Sequence, residues 1–161
     1  FVDKLEVSLQ GPGKVKIRVY EKSVVGYVTY MGANFYFDKD GVVVESSTDV
    51  KEDIPCISGV RFSSLAMYQK LAVENDKIFG RILNITQLLS PDKIEFGKDL
   101  ALTLYFGNVK VALGSNDDLE DKIGRLHDIY SDLESLSGTL HMENYTLDSK
   151  FISFEKADST E

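Results

Sequence analysis

Cysteine occurs once in these 161 residues, as Cys56, so no internal disulfide can form and packing alone must hold the fold. That thiol sits in the apolar stretch Ile54-Pro55-Cys56-Ile57, where a free cysteine is expected to be a small buried side chain rather than a nucleophile. No apolar run approaches the ~20 residues that cross a bilayer. The N-terminus lacks the basic, apolar, small-residue order of a signal peptide. The chain opens on Phe1, already in a strand-like pattern, and we read it as a fragment of something longer whose anchor or targeting signal would lie outside it. Excess basic charge is also missing. A formal net charge of −8 repels a phosphate backbone. The one basic group, Lys14, Lys16, Arg18 and Lys22, alternates along early strands and reads as a solvated face. The tract from Asp117 to Glu134 is acidic and works further against nucleic acid. No internal repeat or low-complexity linker interrupts the chain.

What is present fits an ordinary folded domain. An apolar fraction of 43% beside 27% charged residues is that of a soluble globular protein, and the length can bury a core without disulfides or metals. Leu5 to Leu9, Val15 to Val19 and Val24 to Tyr30 read as strands, the first two by strict alternation, the third by its β-branched and aromatic content. Gly11-Pro12-Gly13 and Gly32-Ala33-Asn34 turn the chain between elements. Phe35 to Phe37 and Val42 to Val44 flank the tight turn Asp38-Lys39-Asp40-Gly41. Residues 46–53 read as a surface loop and 58–64 as irregular.

From Ser64 the apolar period lengthens. Leu65, Tyr68, Leu71 and Ala72 are spaced for a helix, and so are Ile78, Phe79, Ile82, Leu83, Ile85, Leu88 and Leu89. Asn75 or Asp76 can cap the second of these, and Ser90-Pro91 ends it. Ile94 to Phe96, Leu100 to Phe106 and Val109 to Val111 are strands, the last two joined by the two-residue turn Gly107-Asn108. The clearest helix follows, with the stripe Leu119, Ile123, Leu126, Ile129, Tyr130, Leu133 and Leu136. Asp117, Asp118 and Glu120 sit in its first turn, where the helix dipole favours carboxylates, and Gly138 stands as its stop. Leu140, Met142 and Phe151 to Phe154 close the chain as two strands. The expected fold class is α+β: a multi-stranded, mainly antiparallel sheet with two principal helices packed on it, one domain over residues 1–156 and a frayed tail over 157–161.

Chemistry finds little to work with. The two histidines, His127 and His141, have no partner at metal-ligand spacing. His127 reads as a helix-surface residue, and His141 should point away from its neighbours Leu140 and Met142. Asp38-Lys39-Asp40-Gly41 lacks the downstream ligands of a calcium loop and reads as a turn. Gly11-Pro12-Gly13 is followed by no Gly-Lys-Ser/Thr. Helix capping explains the pair Asp117 and Asp118, and Ser63-Ser64 is no nucleophile elbow. The sequence therefore points to no catalytic residue, no cofactor and no metal site.

Partner binding needs no such groups. An antiparallel sheet with a terminal edge strand can accept a strand from another chain. Lys150-Phe151-Ile152-Ser153-Phe154 is short, aromatic, little charged and last in sequence. It fits an edge, and it fits equally a central strand or one covered by the tail. In that register Phe151, Ser153 and Glu155 share one face, with Ile152 and Phe154 on the other. Whether Ser153 or Ile152 turns its N–H outward stays open.

Several segments, in order, resemble the C-terminal β-domain of the FtsQ/DivIB family of bacterial division proteins. Val15-Lys16-Ile17-Arg18-Val19-Tyr20-Glu21-Lys22 with Val25-Gly26-Tyr27-Val28 is similar to its strand–Glu–basic segment. Phe35-Tyr36-Phe37-Asp38-Lys39-Asp40-Gly41-Val42-Val43 resembles its aromatic-Asp-x-x-Gly-Val hairpin. Ile54-Pro55-Cys56-Ile57-Ser58-Gly59 resembles its Pro-x-x-x-Gly loop. Val109 to Gly114, then Leu119 and Lys122-Ile123, and finally Gly138-Thr139-Leu140-His141-Met142, complete the series. The order and spacing over nearly the whole chain carry the resemblance, since each motif alone is common. It implies a non-catalytic domain outside the cytoplasm, on a single-pass membrane protein of the division septum. That domain would bind FtsL and FtsB/DivIC-type partners by addition to its last strand. Carried over, the contact falls on Tyr145, Ser149, Lys150, Phe151, Ile152, Ser153 and Phe154. The competing classes are a cell-envelope enzyme, which a cleft with converging carboxylates would favour, and a secretion-associated β-rich structural module, which a protected last strand would favour.

Overall fold

Alternation dominates the first 21 residues, and in the computed structural model, which describes residues 2–21, 23–115 and 118–157, they form a hairpin of their own. Strands β1 (Val2–Leu9) and β2 (Val15–Glu21) pair antiparallel, with Val7 opposite Ile17 and Leu9 opposite Val15. Gly11 and Gly13 take positive φ in the turn. The apolar face, Leu5, Val7, Leu9, Val15 and Ile17, stays more than half exposed. Arg18 pairs with Glu6 on the polar face at 3.5 Å.

The rest of the strands build one nine-stranded sheet. Its strands are β3 (Val24–Tyr30), β4 (Ala33–Asp38), β5 (Val43–Ser47), β6 (Cys56–Ser58), β7 (Lys93–Phe96), β8 (Leu102–Phe106), β9 (Val109–Gly114), β10 (Gly138–His141) and β11 (Ser153–Lys156). They lie in the order β11-β10-β9-β8-β7-β6-β3-β4-β5. Helix α1 (Lys77–Thr86) connects β6 to β7, and α2 (Leu119–Leu133) connects β9 to β10. Both connections join parallel neighbours, which is what a crossover helix makes possible.

The expectation of a mainly antiparallel sheet is therefore corrected. The sheet is mixed, with β3–β6, β6–β7 and β9–β10 parallel. The physical reason is the placement of the helices. Each is a crossover that returns the chain in the same direction, not an appendage between hairpins.

One core runs through both layers. Ile78, Phe79, Ile82 and Ile85 of α1 and Leu119, Ile123, Leu126 and Leu133 of α2 pack with the inward residues of the strands, among them Ile57, Ile94, Leu104, Val111 and Leu140. The alternate residues Lys93, Glu95, Tyr105 and Lys110 line the solvated face. The turn at Asp38 is closed through its own side chain: its Oδ1 accepts the N–H groups of Asp40 and Val42, both at 3.0 Å. Gly41 there is obligatory, since it has φ +81 and a Cβ would meet the Phe79 ring.

Five local expectations change. The spacing of Leu65, Tyr68, Leu71 and Ala72 does not make a helix. That segment instead bonds to the start of β5, with the Val43 N–H donating to Gln69 O at 2.9 Å and Tyr68 N–H to Val43 O at 2.7 Å. Tyr68 is exposed, with φ 65, while Leu71 is buried. Strand β5 extends through Ser47, into the expected loop. Cys56 is half-buried rather than buried, because it lies on the face of β6 turned away from the core. Helix α1 stops at Thr86, before Ser90-Pro91, and Gly138 opens β10 rather than closing α2. Asp76 is the N-cap of α1 and makes no side-chain cap bond; Asn75, just before it, accepts the Lys77 N–H on its Oδ1 at 3.0 Å. Asp117, and residues 158–161 of the expected tail, lie outside the described residues.

Candidate functional site

Strand β11 ends the sheet. Its pairing with β10 sets Gly138 opposite Lys156, Thr139 opposite Glu155, Leu140 opposite Phe154 and His141 opposite Ser153. The backbone hydrogen bonds fix which way each residue faces. Gly138 N–H donates to Asn108 O at 3.1 Å and Met142 N–H to Ala112 O at 2.8 Å, so the even residues of β10 face β9. The odd residues therefore face β11, and Ala157 N–H donates to Ser137 O at 3.0 Å in agreement. By antiparallel alternation, Ser153 and Glu155 turn their backbone groups inward, while Phe154 and Lys156 turn theirs outward. Among the described residues no strand pairs with that outer side. The opposite edge, β5, is closed at its start by the chain around Tyr68 to Leu71.

The sequence placed the last strand at Lys150 to Phe154; the structure places it at Ser153 to Lys156. The shift has a local cause. Tyr145 N–H bonds to Met142 O, and Thr146 and Ser149 close a turn through Ser149 N–H to Thr146 O at 2.9 Å and Thr146 N–H to Ser149 Oγ at 3.0 Å. This spends residues 143–152 as a loop. Alternation holds as read: Ile152 and Phe154 are half-buried against the core, whereas Ser153 and Glu155 are exposed.

The seven residues singled out from the sequence meet at one corner. Tyr145, Ser149, Lys150, Phe151 and Ile152 line a cavity of about 330 Å³ whose other wall is α2, through Arg125, Ile129 and Asp132. Ser153 and Phe154 continue from it into β11. Phe151 is 89% exposed, and Leu147, from the same loop, 72%. Both are large apolar side chains left in water, in the loop that leads into β11. Sequence reasoning did not single out Leu147, Arg125 or Lys156. Leu147 carries a weak signal as an apolar residue in a polar loop; the other two join the site only through the topology.

Lys122 was also not read as structural from its charge. It is almost fully buried, and its Nζ donates to Leu113 O at 2.6 Å and Glu143 O at 2.8 Å. Burial pushes its ammonium below the usual lysine range, against the pull of Asp118 and Glu143. Its place in the pattern 119, 122, 126 on the apolar face of α2 was the available signal. The ammonium fixes α2 to the end of β9 and to the loop that leads to β11.

Among the described residues, the other polar groups of note pair locally. On the solvated face Glu95 accepts from Lys93 Nζ at 2.7 Å and Tyr105 OH at 3.0 Å. These hydrogen bonds, Lys93 first, hold its carboxyl below the usual range, so it stays ionised and paired. His127 is exposed on α2. His141 points away from Leu140 and Met142, as its alternation implied, and both of those are buried. A larger cavity, about 600 Å³, lies between Arg61, Glu74, Ile78, Phe96 and Lys98, with no histidine or cysteine in its wall. Among the described residues no group of three or more His, Cys, Asp or Glu could hold a metal ion. No helix among them is long and apolar enough to cross a membrane.

Compared with known families, residues 26–149 match the model described as cell division protein FtsQ/DivIB, C-terminal. No curated protein matches the chain. The matched stretch runs from β3 through the loop after β10. Both the β1–β2 hairpin and β11 lie outside it, so any role for β11 must be argued from the sheet edge.

Proposed function

Since this chain belongs to the FtsQ/DivIB family of cell division proteins, we propose that it is a non-catalytic scaffold domain of the division machinery that docks a partner strand on β11. The partners on this reading are the extracytoplasmic segments of FtsL and FtsB/DivIC-type proteins. The domain would sit outside the cytoplasm on a membrane-anchored parent. The observation that supports docking is the outer edge of β11, with the outward backbone groups of Phe154 and Lys156 unpaired by any described strand. A partner strand would satisfy them with ladder bonds. Tyr145, Ser149, Lys150, Phe151 and Ile152 would receive its flanking residues in the cavity beside α2, and Ser153 and Phe154 would lie under the added strand. Backbone bonds supply affinity in such a contact, and alternate side chains supply specificity.

A pair of prolines separates the two sides of β11. Lys156→Pro removes an outward N–H at an exposed position and should leave the fold intact, because proline is tolerated at a sheet edge. Affinity should fall tenfold or more, about 1.4 kcal/mol or above, from the lost bond and the ring's obstruction of the partner. Ser153→Pro removes an inward N–H and should loosen β11 from β10 even without a partner. Titration with partner segments, alongside circular dichroism, reads both. Parental affinity in a folded Lys156→Pro variant would refute docking at this edge.

A further inference from the structure

His141 stands on β10 opposite Ser153 of β11 and beside Ala112 of β9. Its ring meets a carboxylate on each side: Nδ1 lies 3.3 Å from Glu143 Oε1, and Nε2 lies 3.3 Å from Glu155 Oε2. A neutral imidazole carries one N–H, so one of its nitrogens would turn a lone pair toward a carboxylate. Only the imidazolium donates to both. The arrangement is therefore that of the charged ring. It also joins two parts of the chain. Glu155 belongs to β11, while Glu143 follows β10 and is fixed to α2 through the bond from Lys122 Nζ to its carbonyl at 2.8 Å.

We propose that His141 is a protonation-dependent clasp: charged, it holds β11 on β10 and keeps the outer edge in order for a partner strand; neutral, it lets go of one carboxylate and the edge loosens. The idea rests on reading β11 as the docking edge, but the clasp itself is a property of the free domain. Glu143, then Glu155, raise the proton affinity of the ring above the ordinary imidazole value. Lys110, opposite Thr139 on β9, is the nearest cation in register and shares the solvated face with Lys93; Thr139 and Ser153 add no charge. A group whose folded pKa is raised contributes fully below its unfolded value, 6.5, and loses that contribution as pH climbs through the folded value. The contacts are solvent-exposed, so the effect is local to β11 and weakens with salt.

The test follows His141 by NMR across pH in the whole chain, together with exchange of the inward amides of Ser153, Glu155 and Ala157, corrected for intrinsic base catalysis. His141 should titrate above its ordinary value, and both Glu143→Gln and Glu155→Gln should lower it. Corrected exchange at the three amides should quicken as pH passes through that titration, and His141→Gln should remove the step while the domain stays folded. A pH-independent corrected rate, or the same step in His141→Gln, would overturn the clasp. Partner titration at the two ends of the pH range is a separate arm. A pH step in exchange without any partner binding keeps the clasp and discards the docking edge.

Discussion

Lys122→Ala should lower the free energy of unfolding by about 2–6 kcal/mol, because it leaves the Leu113 and Glu143 carbonyls without their donor, at about 1–3 kcal/mol for each buried group left unsatisfied. Two terms oppose each other here. Taking an ammonium out of water is expensive, and Lys122 registers that cost in its lowered pKa. Charge-assisted bonds to two carbonyls return it, and those bonds are about twice as strong as neutral ones. Lys122→Met decides which dominates, since it keeps the apolar stem and removes only the charge. If the bonds dominate, methionine destabilises as well, by less than alanine. If the burial cost dominates, methionine is neutral or stabilising. Urea unfolding of both variants, read as a midpoint shift at constant slope, gives the answer. The alanine variant should also loosen the loop at Glu143 that leads to β11, so its damage should reach the edge strand.

Leu126→Ala should cost about 2–5 kcal/mol as well, for a simpler reason. Leu126 is fully buried at the middle of the α2 stripe, in the core shared with the inward strand residues. Truncation removes its transfer energy and leaves a cavity that helix and sheet can close only in part. The same unfolding measurement applies. A loss below about 0.5 kcal/mol is the range of neutral surface changes and would mean that α2 presents a different face to the sheet.

That stripe shows what the sequence carries well. Leu119, Ile123, Leu126 and Leu133 repeat at helical spacing and are buried as the period requires. Strands β7 and β9 are legible for the same reason, since alternation over several residues fixes the buried face, whereas β3 is legible by its β-branched and aromatic content. Strand β6 is not, because Cys56 to Ser58 is too short for any period to show. Without β6 the crossover nature of α1 is invisible, and with it two of the three parallel pairings that make the sheet mixed. The segment from Leu65 to Ala72 failed in the opposite way. Its apolar spacing is helical by coincidence, and hydrogen bonds to Gly41 and Val43 hold it in place. At the candidate site, composition marked the last strand as a possible edge, but only the register tells that Phe154 and Lys156, rather than Ser153, face outward. The later start of that strand, at Ser153 instead of Lys150, came from the Thr146–Ser149 turn, whose side-chain bond no periodicity encodes.

Amide exchange at Phe154 and Lys156 tests the central claim most directly. The domain is titrated with extracytoplasmic segments of FtsL and FtsB/DivIC-type partners, and exchange is followed residue by residue along β11. Docking on the outer edge predicts that these two amides exchange readily in the free domain and become protected at saturation. Ser153 and Glu155, already bonded to β10, should change far less. Saturable binding that leaves Phe154 and Lys156 unprotected, with new protection elsewhere, would contradict strand addition at β11.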